Sequence, residues 1–419
     1  MKKILVVDDS KTILYGIKDS LEQKSDYEVY TAMSYKECAE ILLEHKGRFD
    51  VALLDYSLPD AKNGEIVEFI SKFKIKSVLL TGSSLDTNNK VFSTETVVDY
   101  VIKDGSQAID YATSIVNRII ENENVEVLIV DDSKTFAHKM EALCEQYNLR
   151  TSVRYCGEEG LKALDERSHI KVVLVDYMMP DMNGLEFTSK LRKKYKKDEV
   201  SIIALSGSED KELVSKFLKY GANDFLYKDF SKTEFFSRIN SNIEIIQLFD
   251  SIRDKATRDH MTGMFNRRYF FETGREMYER AKARKENFAL AMLDIDKFKN
   301  INDTWGHDIG DIAIKEVGKI LAKYLNKDSL ISRVGGEEFC IMMHNRPEQE
   351  VIQTFEEIRE AFAKNVIKLD NLNLKYTVSI GLCIDFGESL EQMMKFSDVS
   401  LYEAKEKGRN KVIMYEGII

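Results

Sequence analysis

Cysteine is scarce in this 419-residue chain, and proline is scarcer. The five cysteines, Cys38, Cys144, Cys156, Cys340 and Cys383, are odd in number and show no CxxC spacing. Neither a disulfide framework nor a zinc site is indicated, and they read as small buried apolar residues. No apolar run approaches the roughly eighteen residues needed to span a bilayer. The opening KKILVV meets two aspartates before it could serve as a signal-peptide core, so a cytoplasmic protein with no membrane partner is expected. An excess of positive charge is lacking too. The formal charge of −10 argues against a chain whose main business is wrapping nucleic acid, because such binding rests on neutralising phosphates. The basic run KLRKKYKK, Lys190 to Lys197, is explained more simply as the solvated face of an amphipathic helix. Magnesium and a magnesium nucleotide stay compatible with this balance.

The three prolines turn from an absence into a signal. Two of them, Pro59 and Pro180, each follow an aspartate (Asp55, Asp176) by four residues, and around them the chain repeats itself. VVDDSKT, from Val6, returns as IVDDSKT, from Ile129. In the first copy apolar runs end in Asp8-Asp9, Asp55, Thr81 and Lys103; in the second, in Asp131-Asp132, Asp176, Ser206 and Lys228. Thr81 to Lys103 and Ser206 to Lys228 are equal separations. With 43% apolar residues there is enough to fill roughly three cores of ordinary size, and the repeat claims two of them.

Short apolar strands alternating with helix-length segments read as a doubly wound parallel sheet, in which ligands gather at the carboxyl ends of the strands. Every residue named above falls at such an end. Two adjacent acids and a third carboxylate form an oxygen-rich site suited to Mg2+ (or Mn2+), which keeps several waters and leaves room for a phosphoryl group. The third carboxylate can attack phosphorus while the lysine absorbs charge and the hydroxyl holds a phosphoryl oxygen. Each copy resembles a receiver domain of the bacterial response regulators. The resemblance implies metal ligands Asp8, Asp9 and Asp55 in one copy and Asp131, Asp132 and Asp176 in the other. It implies phosphoacceptors Asp55 and Asp176, switch residues Thr81, Tyr100, Lys103, Ser206, Phe225 and Lys228, and a histidine kinase or phosphotransfer protein as partner. The first copy departs from the usual pattern in PDAKNG against PDMNG, and in TETVVDY where the second has YGANDF.

From Thr233 the last helix of the second copy reads on without a stop. Phe235, Ile239, Asn242, Ile246, Phe249, Arg253 and Ala256 follow steps of four and three, the seam of a short coiled coil, although a helix packed on its own domain explains the first half equally well. The expected division is 1–122 and 123–247 for the two copies, 248–258 for a helical stalk continuing the last helix, and 259–419 for a different third domain.

In that third part RVGGEEF, Arg333 to Phe339, lies between strand-like runs, so the glycine pair reads as a tight hairpin turn with two carboxylates exposed beside it. Another strand, Phe288 to Leu293, ends in Asp294-Ile295-Asp296. As neighbours, Asp294 and Glu337 would share one or two divalent ions, as nucleotidyl transfer requires. The runs DHMTGMFNRRYF, LDIDKFKNINDTWGHDIGD, RVGGEEF, VSIGL and LYEAKEKGRNKV occur in that order and together resemble the GGDEF diguanylate cyclases over residues 250 to 419, in the GGEEF variant. The resemblance implies an α+β nucleotidyl-cyclase-like palm after the two α/β receivers. It also implies GTP as substrate, cyclic di-GMP as product and a homodimer, because one domain holds half of a two-GTP site.

The same resemblance assigns Asp294, the carbonyl of Ile295 and Glu337 to the metal, and Glu338 to activation of the ribose hydroxyl. Lys299, Lys405 and Arg409 go to the triphosphate; Asn302 and Asp311 go to the guanine edge. A carboxylate at 311 prefers guanine for a physical reason: N1 and N2 of guanine are donors, whereas N1 of adenine presents a lone pair. One family feature is missing. The Arg-x-x-Asp product site falls here on Asn326 and Ser329. The competing readings are a catalytically silent GGDEF domain that senses nucleotide and a DNA-binding regulator; the third part leaves no room for the helix-turn-helix that the latter needs.

Overall fold

The computed structural model describes residues 1–24, 27–82, 94–104, 107–167, 169–207, 211–325, 328–369 and 372–417. The chain forms two compact units, Met1–Asp250 and Ser251–Ile419. No helix among the described residues is long and apolar enough to cross a membrane.

The first half of the first unit runs β1 (Lys2–Val7), α1 (Lys11–Lys24), β2 (Tyr27–Ala32), α2 (Tyr35–Glu44), β3 (Val51–Asp55), α3 (Glu65–Ser71), β4 (Lys76–Thr81), β5 (Val97–Ile102) and α4 (Gln107–Glu121). Its strands pair in parallel in the order β2-β1-β3-β4-β5. Strands with both faces covered need continuous apolar runs, and ILVV supplies one: Ile4 and Val6 enter one core while Leu5 and Val7 enter another. The second half repeats the plan with β6 (Glu126–Val130), α5 (Lys134–Gln146), β7 (Arg150–Arg154), α6 (Gly157–Glu166), β8 (Ile170–Asp176), α7 (Gly184–Arg192), β9 (Ser201–Ser206), α8 (Lys211–Tyr220), β10 (Asp224–Tyr227) and α9 (Lys232–Thr257). Here the order is β10-β9-β8-β6-β7, again parallel.

The two sheets do not keep separate cores. Ile115 and Ile119 of α4 lie in one apolar cluster with Met140 of α5, Tyr147, and Phe235, Phe236 and Ile239 of α9. Tyr147 stacks on Phe236 with ring centroids 4.3 Å apart. Two asparagines pair across this seam: Asn122 Nδ2 donates to the carbonyl of Tyr147 at 2.9 Å, and Asn148 Nδ2 to that of Ile119 at 2.7 Å. The carbonyl of Val97 accepts from both Gln146 Nε2 (2.7 Å) and Lys232 Nζ (3.0 Å).

This packing places the coiled-coil positions. Phe235, Ile239, Asn242 and Ile246 are buried within the first unit, so the first half of that seam faces the core of that unit. Asn242 accepts from Ser201 Oγ at 2.6 Å there. The apolar stripe that α9 leaves exposed runs instead through Ile245, Leu248 and Ile252, beside Phe249.

The second unit holds β11 (Phe265–Asn266), α10 (Arg267–Arg284), β12 (Phe288–Ile295), α11 (Phe298–Trp305), α12 (His307–Tyr324), β13 (Leu330–Arg333), β14 (Glu338–His344), α13 (Glu348–Lys364), β15 (Ile367–Leu369), β16 (Leu372–Leu374), β17 (Val378–Cys383), α14 (Leu390–Glu406) and β18 (Val412–Met414). Six strands form a mixed sheet in the order β11-β13-β14-β12-β17-β18, and β15 and β16 form a separate two-stranded antiparallel sheet. The central strand β12 is buried along its whole length, which its sequence FALAMLDI allows until it reaches Asp294. Of the cysteines, four are buried and Cys156 is half-buried.

Candidate functional site

Three acid sites stand at strand ends. In the first, Asp8 and Asp55 are buried and Asp9 exposed, and oxygens from all three carboxylates lie within 4.8 Å of one another. Ser10 N donates to Asp8 Oδ1 at 2.9 Å, which fixes the carboxylate at the entry to α1. Lys103 Nζ bridges Asp8 Oδ2 at 2.6 Å and Asp55 Oδ2 at 2.7 Å. Its backbone N–H bonds the carbonyl of Thr81 at 2.7 Å, so the strand register sets the bridge. Burial pushes the Asp8 carboxyl up from its usual range, against the hydrogen bond from Lys103. Burial works to lower the Lys103 ammonium, but its bonds to Asp55 and Asp8 outweigh that and leave it raised.

The second site is built the same way. Asp131, Asp132 and Asp176 again bring their oxygens within 4.8 Å. Lys228 Nζ bridges Asp131 Oδ2 (2.8 Å) and Asp176 Oδ1 (2.9 Å). Ser133 Oγ caps α5 by accepting from Phe136 N, and its own N–H donates to Asp131 Oδ1 at 2.9 Å. The copies differ in one neighbour: Lys228 Nζ sits 4.5 Å from the ring centroid of Phe136, where the first copy has Ile13. Burial raises the Asp176 carboxyl, with Lys228 opposing. Thr81 and Ser206 are buried at the ends of β4 and β9. Phe225 is buried against Phe217 and Tyr227, whereas Tyr100 is half-buried.

In the second unit the β12–β14 register sets Asp294 directly opposite Glu338. Asp294 is buried, and Lys405, in the last turn of α14, places Nζ 2.9 Å from its Oδ2. Burial raises the Asp294 carboxyl to about 6; Lys405 opposes, and the charges of Glu337 and Glu338 add to the rise. Between β13 and β14 the chain makes a four-residue connection, Val334 to Glu337, and neither glycine in it has a positive φ. The tight hairpin turn expected there is a wider connection, and a Cβ on Gly335 within it would stand 2.6 Å from Glu338 Oε2. Glu337 and Glu338 are half-buried rather than exposed.

Two residues that the sequence reading left without a role organise this connection. The Arg333 guanidinium donates from Nε (2.9 Å) and Nη2 (2.8 Å) to the carbonyl of Gly336, and from Nη1 to both oxygens of Asp259 at 3.2 Å. Asp259 in turn accepts from the N–H and hydroxyl of Thr262. Arg333 stood in the quoted RVGGEEF, but its partner lies 74 positions away, a distance that no local pattern bridges.

Asn302 and Asp311, both half-buried, lie on α11 and α12. Glycine at 310 leaves room for the Asn302 side chain: a Cβ there would meet Asn302 Oδ1 at 2.0 Å. That oxygen is buried with no hydrogen-bond partner, an acceptor left for something else to satisfy. Lys299 is exposed in the first turn of α11, and Arg409 is exposed in the turn after α14. Ser329 is described; Asn326 lies outside the described residues.

Comparison with known proteins shows the family. The model of the response regulator receiver domain matches residues 4–109 and 127–240, together more than half of the chain. The model of the diguanylate cyclase GGDEF domain matches 256–411. The chain belongs to the response regulators that carry a GGDEF domain. It is 28% identical over 298 residues to the response regulator PleD of Caulobacter vibrioides, covering 68% of this chain and 65% of that protein. To diguanylate cyclase A of Treponema denticola it is 36% identical over 166 residues, 38% of this chain and 45% of that one. The chain therefore spans less than two thirds of the length of either relative. A solved probable two-component response regulator/GGDEF domain protein superposes with a TM-score of 0.53 at 34% identity, over 59% of this chain and all of that one.

Proposed function

We propose that this response regulator is a phosphorylation-controlled diguanylate cyclase, joining two GTP into cyclic di-GMP across a homodimer. The observation that carries the reading is the placement of Asp294 opposite Glu338, beside Glu337, with Lys405 paired to Asp294. In each of two bond-forming steps the 3′-oxygen of one GTP attacks the α-phosphorus of the other, and pyrophosphate leaves. Glu338 takes the hydroxyl proton. Lys299, Lys405 and Arg409 hold the triphosphate and its growing negative charge. The unsatisfied oxygen of Asn302 and the carboxylate of Asp311 read the donor edge of guanine.

All the acid sites offer oxygen donors alone, which fits Mg2+ or Mn2+. Asp294, the carbonyl of Ile295 and Glu337 would hold the ion in the GGDEF domain, as the three aspartates would in each receiver. When bound, it neutralises charge on phosphoryl oxygens. Because one GGDEF domain presents one GTP, the chain pairs with a second copy; the exposed stripe Ile245, Leu248 and Ile252 supports pairing along α9. Asp55 and Asp176 accept the phosphoryl group from a kinase or phosphotransfer protein, with Lys103 and Lys228 carrying the compensating charge.

The test incubates purified protein with magnesium and GTP, with and without beryllofluoride, and identifies the product by mass. Cyclic di-GMP and pyrophosphate are expected. Glu338→Gln is expected to lower turnover by about 10²–10⁴ while GTP binding persists. Tight GTP binding without product in the wild type would make the domain a nucleotide sensor instead.

A further inference from the structure

The sequence LDIDKF ends β12 with two aspartates, and only Asp294 has been given work. Asp296 is as buried as Asp294, at 7% exposure. Its carboxylate is fully committed to protein donors. Oδ1 accepts from Ser379 Oγ at 2.6 Å; Oδ2 accepts from Thr377 Oγ1 at 2.6 Å and from the backbone N–H of Asn410 at 3.0 Å. Its own N–H donates to the carbonyl of Thr377 at 2.9 Å. A carboxylate engaged in this way has little left to offer an ion or a substrate. What it does is join three distant pieces of chain: the end of β12, the start of β17 and the turn after α14.

That turn is unusual. Gly408, Arg409 and Asn410 are consecutive left-handed residues, with φ of 105°, 65° and 47°. Two of them carry a Cβ, so the conformation persists only where its surroundings hold it. Arg409 N bonds the carbonyl of Ala404 at 2.9 Å, and Arg359 Nη1 donates to Asn410 Oδ1 at 3.2 Å. The bond from Asn410 N to Asp296 is the contact that ties the turn to the strand carrying Asp294. Arg409, Lys297, Asn300 and Thr377 line one groove of about 530 Å³ with Asp296.

We propose that Asp296 is a positioning residue: by fixing the Gly408–Asn410 turn to the end of β12, it sets where the Arg409 guanidinium meets the triphosphate relative to Asp294. The proposal rests on the diguanylate cyclase reading. It concerns the β- and γ-phosphates and leaves the base and the reacting ribose to other residues, which makes it separable from a merely structural role. The tail of the nucleotide, and not its head, should feel the change.

The experiment measures equilibrium binding of GTP and of GMP to the full chain, with steady-state turnover, for wild type, Asp296→Ala, Asp296→Asn, Arg409→Ala and Asp296→Ala/Arg409→Ala. Asp296→Ala is expected to weaken GTP by about tenfold or more, because a displaced clamp loses its alignment, and to leave GMP within about twofold. Arg409→Ala should match it, and the double variant should be no worse than either, since both remove one interaction. Asp296→Asn should recover part of the loss, because the serine and threonine hydroxyls can turn to accept from the amide. Where Asp296→Ala does not fold, Asp296→Asn and Arg409→Ala carry the comparison. Equal losses for GTP and GMP, unchanged GTP affinity, or additive losses in the double variant would overturn the proposal. A wild type that binds neither nucleotide would overturn the cyclase reading and this inference with it.

Discussion

Lys405 Nζ stands 2.9 Å from Oδ2 of Asp294, so the carboxylate proposed to take an ion is paired with an ammonium. Burial nevertheless raises Asp294 to about 6, and the ionised form prevails only above that pH. The free-enzyme profile of kcat/KM for GTP is therefore expected to have an acid limb near pH 6, falling about tenfold per unit below it. Proton and ion compete for the same oxygens, so more magnesium should move the limb to lower pH. A limb indifferent to magnesium would place the titrating group elsewhere.

Base selectivity should depend on residue 310 as much as on the residues that touch the base. Gly310→Ala puts a Cβ 2.0 Å from Asn302 Oδ1 and must displace that side chain from its place beside α12. GTP affinity is expected to fall by roughly tenfold or more as the edge-reading groups separate. Asp311→Ser leaves Asn302 in place and removes one acceptor, so the preference for GTP over ATP should narrow. Competition binding of the two nucleotides checks both; unchanged selectivity in Asp311→Ser would end its assignment to the base.

The repeat made the receivers legible from the sequence, because their chemistry is concentrated at strand ends and strands announce themselves as short apolar runs. VVDD, LLD and VIK each place a polar residue where the run stops, and the fold leaves it there. What the sequence concealed depends on contacts between distant segments. Asn242 fits a heptad seam as well as it fits its real place, hydrogen-bonded to Ser201 and Asp224. Nothing local distinguishes Ile115 and Ile119 as residues shared between two sheets rather than private to one. Arg333 and Asp296 were visible as letters, but their partners Asp259, Thr377 and Asn410 become neighbours only once the mixed sheet has closed.

Lys232 reports on the joint between the receivers. Burial pushes its ammonium down to about 8, with Asp99 opposing and Lys76 adding, while Nζ bonds the carbonyl of Val97. Between that value and the ordinary lysine value of 10.5 the unfolded chain binds more protons than the folded one, so stability rises with pH across this window. Wild type is expected to gain on Lys232→Met by on the order of 1 kcal/mol from about pH 7.5 to 9.5, discounted for partial exposure. Thermal melts of the two proteins measure the difference. A gap that is constant or shrinks across the window would show that the ammonium is not buried at the joint.

The two proposed phosphoacceptors should not be equal in effect, although their pockets match closely: Lys103 lies 2.7 Å from Asp55, and Lys228 lies 2.9 Å from Asp176. Their connections to α9 differ. In the second receiver, Asp224 at the start of β10 accepts from Arg238 Nη1 at 3.0 Å and Asn242 Nδ2 at 3.3 Å, both on α9. The next residue is Phe225, the proposed switch aromatic, and Lys228 is followed within four residues by the helix itself. In the first receiver β5, which carries Tyr100, reaches α9 through the carbonyl of Val97 and Lys232, with Gln146 sharing the contact. A charge added at Asp55 therefore reaches α9 across a contact between the two receivers, whereas Asp176 shares its own receiver with the helix, and a coupling across such a contact is passed on only in part. Asp176→Asn is expected to remove most of the beryllofluoride stimulation of cyclic di-GMP synthesis, and Asp55→Asn a smaller share. Both are compared at equal protein concentration because pairing is part of the response. Equal or reversed losses would give the first receiver control and leave the second as an adaptor between it and the helix.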